Sequence, residues 1–276
     1  MRCYMELCGL LFWDFYQKKH LIDISSQDNR GKVTMLRSFK ALGIVDLRSV
    51  RRDSMLIGIV ISPWLIVLFL RLVMPLFNNW SDNQFGINLK EYYPLITSIF
   101  IFLNIPLMFG VMSGFLLLDE RDDETLTAIR VTPASVSGLF LYRILTGYIL
   151  SVIYILLCTP LTGLVSFDKV IQVIPAALLA GTFTPVVMLT LAAFARNKLE
   201  GFAVLKGVGF LVVGSAMAYF VSSKWQMLFG VIPTYWSSKA FWLALNNQDS
   251  KIYLLIGVLY NLLLIVLLFR RFRSKL

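Results

Sequence analysis

The sequence is poor in charged and metal-binding side chains. Only 15% of its 276 residues are charged, whereas a soluble domain carries about 25%. It holds one histidine, His20, and three cysteines, at positions 3, 8 and 158. A single histidine excludes a site built from several histidines, and the cysteine positions match neither a metal-ligand spacing nor a disulfide framework. The sequence also lacks the phosphate-loop motif Gly-x-x-x-x-Gly-Lys-Ser/Thr and the HExxH and GxSxG motifs, which argues against an enzyme.

Long apolar runs dominate the chain instead, since 58% of its residues are hydrophobic. Six runs are long enough to cross a bilayer as helices. The sequence therefore predicts an all-α membrane protein whose six transmembrane helices form one domain over 55–276. The predicted spans are 55–77, 94–118, 138–165, 174–194, 202–221 and 252–269.

The basic residues indicate the orientation of these spans. The net charge is +10, and most arginines and lysines after residue 35 flank the apolar runs on one side. The positive-inside rule explains this asymmetry better than binding to nucleic acid, which is not expected. We therefore expect a multi-pass protein of the cell membrane (inner or plasma membrane) with both termini in the cytoplasm and the lipid bilayer as its surroundings.

The first 54 residues differ from the rest. Residues 1–34 contain neither a spanning run nor a signal peptide, and we expect them to lie upstream of a true start at Met35; an interfacial anchor is the alternative. Residues 35–54 place Leu36, Phe39 and Leu42 on one apolar face, with arginines largely elsewhere. This spacing predicts an amphipathic helix on the inner membrane surface; a plain basic flank is the alternative.

A charged segment separates the second and third spans. An apolar run ends at Leu118 in a cluster of acids, and a short helical pattern follows until Pro133. Leu126 and Ile129 share one face of this pattern, and acids at its start with Arg130 near its end suit the helix dipole. We predict a short amphipathic helix held between two spans, with a solvated loop as the alternative.

This segment carries a resemblance to a known family. Glu120, Arg121, the pair Thr125–Leu126 and the pair Thr132–Pro133 resemble the cytosolic coupling segment of type 2 ABC transporter permeases. Glu124 departs from the pattern, because the family often has glycine there. Residues 197–201 and 225–242 are also similar to segments of the exporter-like branch, and the likeness is strongest to fluoroquinolone or multidrug export permeases.

The resemblance implies a function and partners. It implies the permease subunit of an ATP-driven exporter of drugs or other amphipathic molecules, with two copies of a separate ABC ATPase and a second permease, either identical or a sister chain. This chain would bind no cofactor itself, since ATP and Mg²⁺ would sit on the ATPase. The residues implied to couple to the ATPase are Glu120, Arg121, Asp123, Thr125, Leu126, Ile129 and Arg130.

Polar residues within the spans are the candidates for a transport pathway, and core packing is the alternative for each. The pathway candidates are Asn104, Tyr148, Ser151, Tyr154 and Thr184. Two arginines also lie within spans. We expect Arg71 to reach the outer headgroups and Arg143 to reach the inner ones or to pair with an acid such as Glu120.

The outer segment before the last span is rich in aromatic residues between Trp225 and Trp242. Such a composition predicts short helices that dip into the outer leaflet, and the family has a re-entrant helical pair here. An exit gate and an interfacial belt remain alternative roles.

Three other functions compete with the drug exporter. The same architecture could export a lipid-linked glycan, a peptide or a self-made antibiotic. A proton- or sodium-driven carrier and an intramembrane enzyme are disfavoured because no carboxylate lies mid-span, although sodium sites can use backbone oxygens.

Overall fold

The computed structural model describes residues 51–122, 136–221 and 224–274, and every regular element in these ranges is helical. Residues 53–276 form one compact unit, and residues 1–52 form another. The predictions for 1–34 and for nearly all of 35–54 lie outside the described residues. The principal helices are α1 (Ser54–Phe85), α2 (Tyr93–Thr97), α3 (Asn104–Asp122), α4 (Val136–Leu161), α5 (Val170–Gly181), α6 (Phe183–Phe194), α7 (Lys198–Met217), α8 (Pro233–Leu245) and α9 (Lys251–Arg273).

Six stretches in this part of the chain are long and apolar enough to cross a membrane, which confirms the predicted number of spans. They are Ser54–Phe85, Leu89–Arg121, Phe140–Leu161, Phe167–Phe194, Lys198–Phe220 and Lys251–Arg273. The second contains α2 and α3, the fourth contains α5 and α6, and α8 lies between the fifth and sixth.

Helix α1 continues eight residues beyond its predicted end at residue 77, so the outer loop predicted from residue 78 is wrong in its first half. Asn78 and Ser81 are buried. The side-chain Oδ1 of Asn78 accepts a hydrogen bond from the backbone N–H of Leu89. Gly86 ends the helix at φ 65°, a left-handed conformation that glycine adopts without strain. The added turns are only partly covered by the fold, since Asn79, Asp82, Asn83 and Gln84 stay exposed.

The second span changes its winding at the predicted mid-span break. Residues Ser98–Leu103 form a π-helical turn directly before Asn104 and Pro106. Because Pro106 has no N–H and its ring would clash with the carbonyl of Phe102, the preceding turn widens.

Two other span boundaries also moved. The α-helix of the fourth span begins at Val170 rather than at residue 174, and the span consists of two helices joined at Thr182, just before Pro185. The third ends at Leu161 rather than at residue 165, and Gly163 follows in the left-handed conformation.

Helices α3 and α6 lie closely against each other at the centre of the fold. A methyl group on Gly110 would lie 2.6 Å from Val187 Cβ, and one on Gly114 would lie 2.6 Å from Leu191 Cδ1. The spacing of these two glycines in α3 therefore permits close contact between the helices. In the 18-residue apolar core of the fourth span, 78% is buried within the protein, whereas the corresponding share for the sixth span is 11%. The sixth span therefore exposes an apolar surface suited to lipid or to another membrane chain.

The aromatic residues before the last span fall into two groups. Tyr235, Phe241 and Trp242 of α8 are buried within the protein. Trp225, in the 3₁₀ helix Lys224–Val231, is 70% exposed. Many of the aromatic side chains between Trp225 and Trp242 therefore pack between helices and do not form an interfacial belt.

Candidate coupling site at the charged end of the helices

One end of the bundle gathers charged side chains from four helix ends. Asp53 precedes α1, Asp119 to Arg121 lie in the last turn of α3, Arg143 lies near the start of α4, and Lys198 begins α7. We call this group the charged cluster: Asp53, Asp119, Glu120, Arg121, Arg143 and Lys198. Glu120 and Arg121 belong to the predicted coupling segment Glu120–Pro133, whose remaining residues from 123 onward lie outside the described residues.

Lys198 joins three parts of the chain. Its Nζ lies 3.0 Å from Asp53 Oδ2 and 2.9 Å from Asp119 Oδ2. Asp53 also caps α1, since its Oδ1 accepts from the backbone N–H of Met55 at 2.9 Å. The hydrogen bond from Lys198 lowers the pKa of Asp53, while burial acts in the opposite direction. One ammonium group therefore links the start of the first span, the end of the second and the start of the fifth.

Glu120 and Arg143 form a hydrogen-bonded ion pair between α3 and α4. The Arg143 side chain is 4% exposed and that of Glu120 is 18% exposed. A cation this deeply buried requires a counter-ion. The sequence left two alternatives for Arg143, the inner headgroups and an acid such as Glu120, and in the structure Arg143 pairs with Glu120.

The tight turn between α6 and α7 is fixed by reciprocal hydrogen bonds. The side chain of Asn197 accepts from the Glu200 N–H at 2.9 Å, and the Glu200 carboxylate accepts from the Arg196 N–H at 2.8 Å. This arrangement resembles a capping box. Arg121 Nη1 lies 3.5 Å from the Ala195 carbonyl oxygen, a weak contact that nonetheless places the end of α3 beside this turn.

Two of the seven predicted coupling residues, Glu120 and Arg121, thus lie in the charged cluster. The other five, Asp123, Thr125, Leu126, Ile129 and Arg130, fall outside the described residues. Sequence reasoning missed the partnership of Lys198 with Asp53 and Asp119. The only available signal was that all three lie at the ends of apolar runs on the same predicted side.

The predicted pathway residues on α4 have different surroundings. The Ser151 hydroxyl is buried and donates to the Tyr148 carbonyl, while the Tyr148 hydroxyl donates to the Leu178 carbonyl at 3.3 Å. Tyr154 packs edge-on against Phe109, with ring centroids 4.8 Å apart. These contacts match the core-packing alternative for Ser151 and leave Tyr148 and Tyr154 partly exposed.

The two remaining pathway candidates lie where helices are irregular. Asn104 follows the π-helical turn and is partly exposed. Thr184 is buried beside the α5–α6 break, and its hydroxyl has no hydrogen-bond partner among the described residues. The structure does not bring all five candidates together into one site.

Arg71 lies toward the opposite end of the bundle. Its Nη1 donates to the carbonyl of Leu161, the last residue of α4, at 3.1 Å. A cation at a helix C-terminus satisfies a free carbonyl and complements the helix dipole. This bond to α4 is a contact that the sequence did not predict.

An apolar groove lies between α1, α3 and α7 near the charged end. It has a volume of about 260 Å³ and is lined by Met55, Ile59, Leu107, Met108, Val111, Phe115, Phe202 and Leu205. Such a groove accommodates an apolar group and offers it no hydrogen bond. Within the described ranges, no group of three or more histidine, cysteine or acidic residues is placed to hold a metal ion.

Comparison with known proteins identifies relatives over most of the chain. Residues 46–269 match the family described as "Fluoroquinolones export permease protein Rv2686c-like". Fluoroquinolones export permease proteins MT2760 and Rv2686c, from Mycobacterium tuberculosis strains CDC 1551 / Oshkosh and ATCC 25618 / H37Rv, are each 38% identical over 240 residues. Each alignment covers 87% of this chain and 95% of the relative. No solved structure matches the chain.

Proposed function

The chain belongs to the Rv2686c-like family of fluoroquinolone export permeases, and from this premise we propose that it is the membrane subunit of an ATP-driven ABC exporter of fluoroquinolones or similar amphipathic drugs. A separate ATPase binds ATP and Mg²⁺ and supplies the energy. Two ATPase copies serve two permeases, which are either identical or sister chains. Both termini face the cytoplasm, in accordance with the distribution of basic residues.

The charged cluster is the observation that carries this proposal. Segment 123–133 connects α3 to α4, and the Glu120–Arg143 pair ties these two helices together beside that segment. A push on the segment by the ATPase would therefore move both helices as a unit. Through Lys198, the end of α3 is also tied to the starts of α1 and α7, so that the movement would reach two further helix ends.

In this mechanism, residues 123–130 contact the ATPase, and Glu120 and Arg121 act as positioning residues that orient the segment. The amphipathic stretch 35–54 lies along the inner membrane surface and provides a second contact. At the opposite end, the exposed 3₁₀ helix Lys224–Val231 and the buried α8 form the outer re-entrant pair. The apolar groove receives the apolar part of the cargo.

Co-purification of the tagged chain from native membranes tests the proposal. We expect a nucleotide-binding ATPase to accompany it, with ATP hydrolysis that rises when a fluoroquinolone is added. Glu120→Ala should reduce this drug-stimulated hydrolysis. The matched control is Asp249→Asn, which removes an acid from an exposed pair with Lys251 at the opposite end of the bundle, where N and O are 3.7 Å apart.

Purification of the chain without an ATPase would contradict the proposal, and flux driven by a proton or sodium gradient would then identify an ion-driven carrier. An associated ATPase that responds to a lipid-linked glycan or a peptide but not to drugs would retain the mechanism and replace the cargo.

A further inference from the structure

Lys206 lies within a span, and it has no charged partner among the residues that the structure describes. It follows Lys198 by eight residues in α7, so it lies about 12 Å further along the helix. The two arginines within spans have partners: Arg143 pairs with Glu120, and Arg71, toward the opposite end of the bundle, donates to the carbonyl of Leu161. In the described parts of the chain, Lys206 makes neither an ion pair nor a hydrogen bond, and it is exposed.

A second copy of the chain would not supply an acid at this depth either. The six predicted spans contain no aspartate or glutamate. A charged ammonium exposed on a membrane helix is costly unless it faces water, headgroups or an anion. Lys206 therefore faces water, headgroups or an anion that comes from outside the spans.

Two aromatic rings flank Lys206 on the same helix face. Phe202 and Phe210 lie four residues before and after it, so each is one turn away, about 6 Å between Cβ atoms. Both are exposed, at 47% and 76%. The surface beside them is open, since a methyl group on Gly207 or Gly209 would have no neighbour within 4 Å.

This face is continuous with the apolar groove. Phe202 lines the groove, and its ring packs against Phe115 with centroids 5.1 Å apart. An ammonium group one turn from the groove, between two exposed rings, is complementary to a molecule with a flat apolar body and a carboxylate.

We propose that the α7 face formed by Phe202, Lys206 and Phe210 recognises the cargo, with Lys206 binding a carboxylate and the phenylalanines packing on an adjacent aromatic ring. The cargo class is then an aromatic carboxylic acid, to which fluoroquinolones belong. This inference rests on the proposed export function and adds to it the group that is recognised.

The test compares a fluoroquinolone with its methyl ester, in which the carboxylate is blocked. The chain and its ATPase are placed together in liposomes, and ATP-dependent transport is measured against the concentration of each compound. For the acid, we expect Lys206→Gln to raise the half-saturating concentration about tenfold, the usual loss when a charged hydrogen bond is removed. For the ester, we expect less than a twofold change, and Lys206→Arg should retain transport of the acid.

Two further variants separate recognition from a general defect. Lys251→Gln removes an exposed lysine from the opposite end of the bundle and should change neither compound. Phe210→Leu should weaken transport of acid and ester alike, because it removes a ring contact that both compounds make.

Three outcomes would overturn the inference. The first is an unchanged half-saturating concentration for the acid in Lys206→Gln. The second is an equal change for acid and ester, which would indicate that Lys206 only reaches the headgroups. The third is an unchanged affinity for both compounds in Phe210→Leu. A wild-type protein that transports neither compound would instead refute the proposed function, and this inference with it.

Discussion

The Glu120–Arg143 pair provides the sharpest test of how α3 and α4 are held together. Breaking a buried ion pair costs about 3–5 kcal/mol, because the remaining charge stays buried without that counter-ion. Arg143 is the more buried partner, at 4% exposure against 18% for Glu120. Glu120→Gln, which leaves the arginine, should therefore destabilise the protein more than Arg143→Met, which leaves the carboxylate closer to water.

The double variant Glu120→Gln, Arg143→Met should recover most of this loss, because replacing both partners by neutral groups of similar size is often close to neutral. At about 2–4 °C per kcal/mol for a chain of this size, Glu120→Gln should lower the midpoint of thermal unfolding in detergent by roughly 6 °C or more. The double variant should lie within a few degrees of wild type. A Glu120→Gln protein as stable as wild type would refute the argument.

The same three variants show how Glu120 acts in transport. If Glu120 positions the coupling segment through Arg143, drug-stimulated ATP hydrolysis should fall in Glu120→Gln and return in the double variant together with stability. The measurement is ATP hydrolysis by the reconstituted permease and ATPase with and without drug. Recovered stability with hydrolysis still lost would show that the carboxylate contacts the ATPase directly.

Three other changes test separate contacts. Because its bond to Lys198 lowers the pKa of Asp53, the pair stabilises the fold above the unfolded aspartate pKa of about 3.9 and loses this contribution as the pH falls through the folded value. Thermal unfolding against pH should show this loss in wild type and a smaller loss in Lys198→Met, where Asp53 keeps its hydrogen bond from the Met55 N–H. Gly110→Ala should lower the unfolding temperature, because its methyl group would lie 2.6 Å from a carbon of the facing helix. Gly58→Ala is the control and should leave the unfolding temperature unchanged, because its methyl group would have no neighbour within 4 Å. Equal shifts in the two variants would contradict the close packing. Arg71→Ala should reduce the amount of protein in the membrane, measured by immunoblot, and leave hydrolysis per molecule unchanged; lost hydrolysis at normal protein levels would show that its role is not confined to that end of the bundle.

Sequence alone was sufficient for the architecture of this protein. Six apolar runs of membrane-spanning length leave few alternatives to a helical bundle, because backbone groups in lipid must bond within their own segment. Proline positions also indicated where helices would change, at the π-helical turn before Pro106 and at the break before Pro185. The coupling segment stays a prediction from its sequence pattern, because its residues beyond Asp122 lie outside the described structure.

Only the tertiary structure determined which charged side chains form ion pairs with one another. Lys198 pairs with acids at positions 53 and 119 because three helix ends converge, and no local spacing relates residues so distant in sequence. By the same packing, Arg143 is neutralised and Lys206 is left facing outward. Periodicity assigns a residue to a face of its own helix, whereas the position of neighbouring helices determines whether that face meets a partner, lipid or cargo.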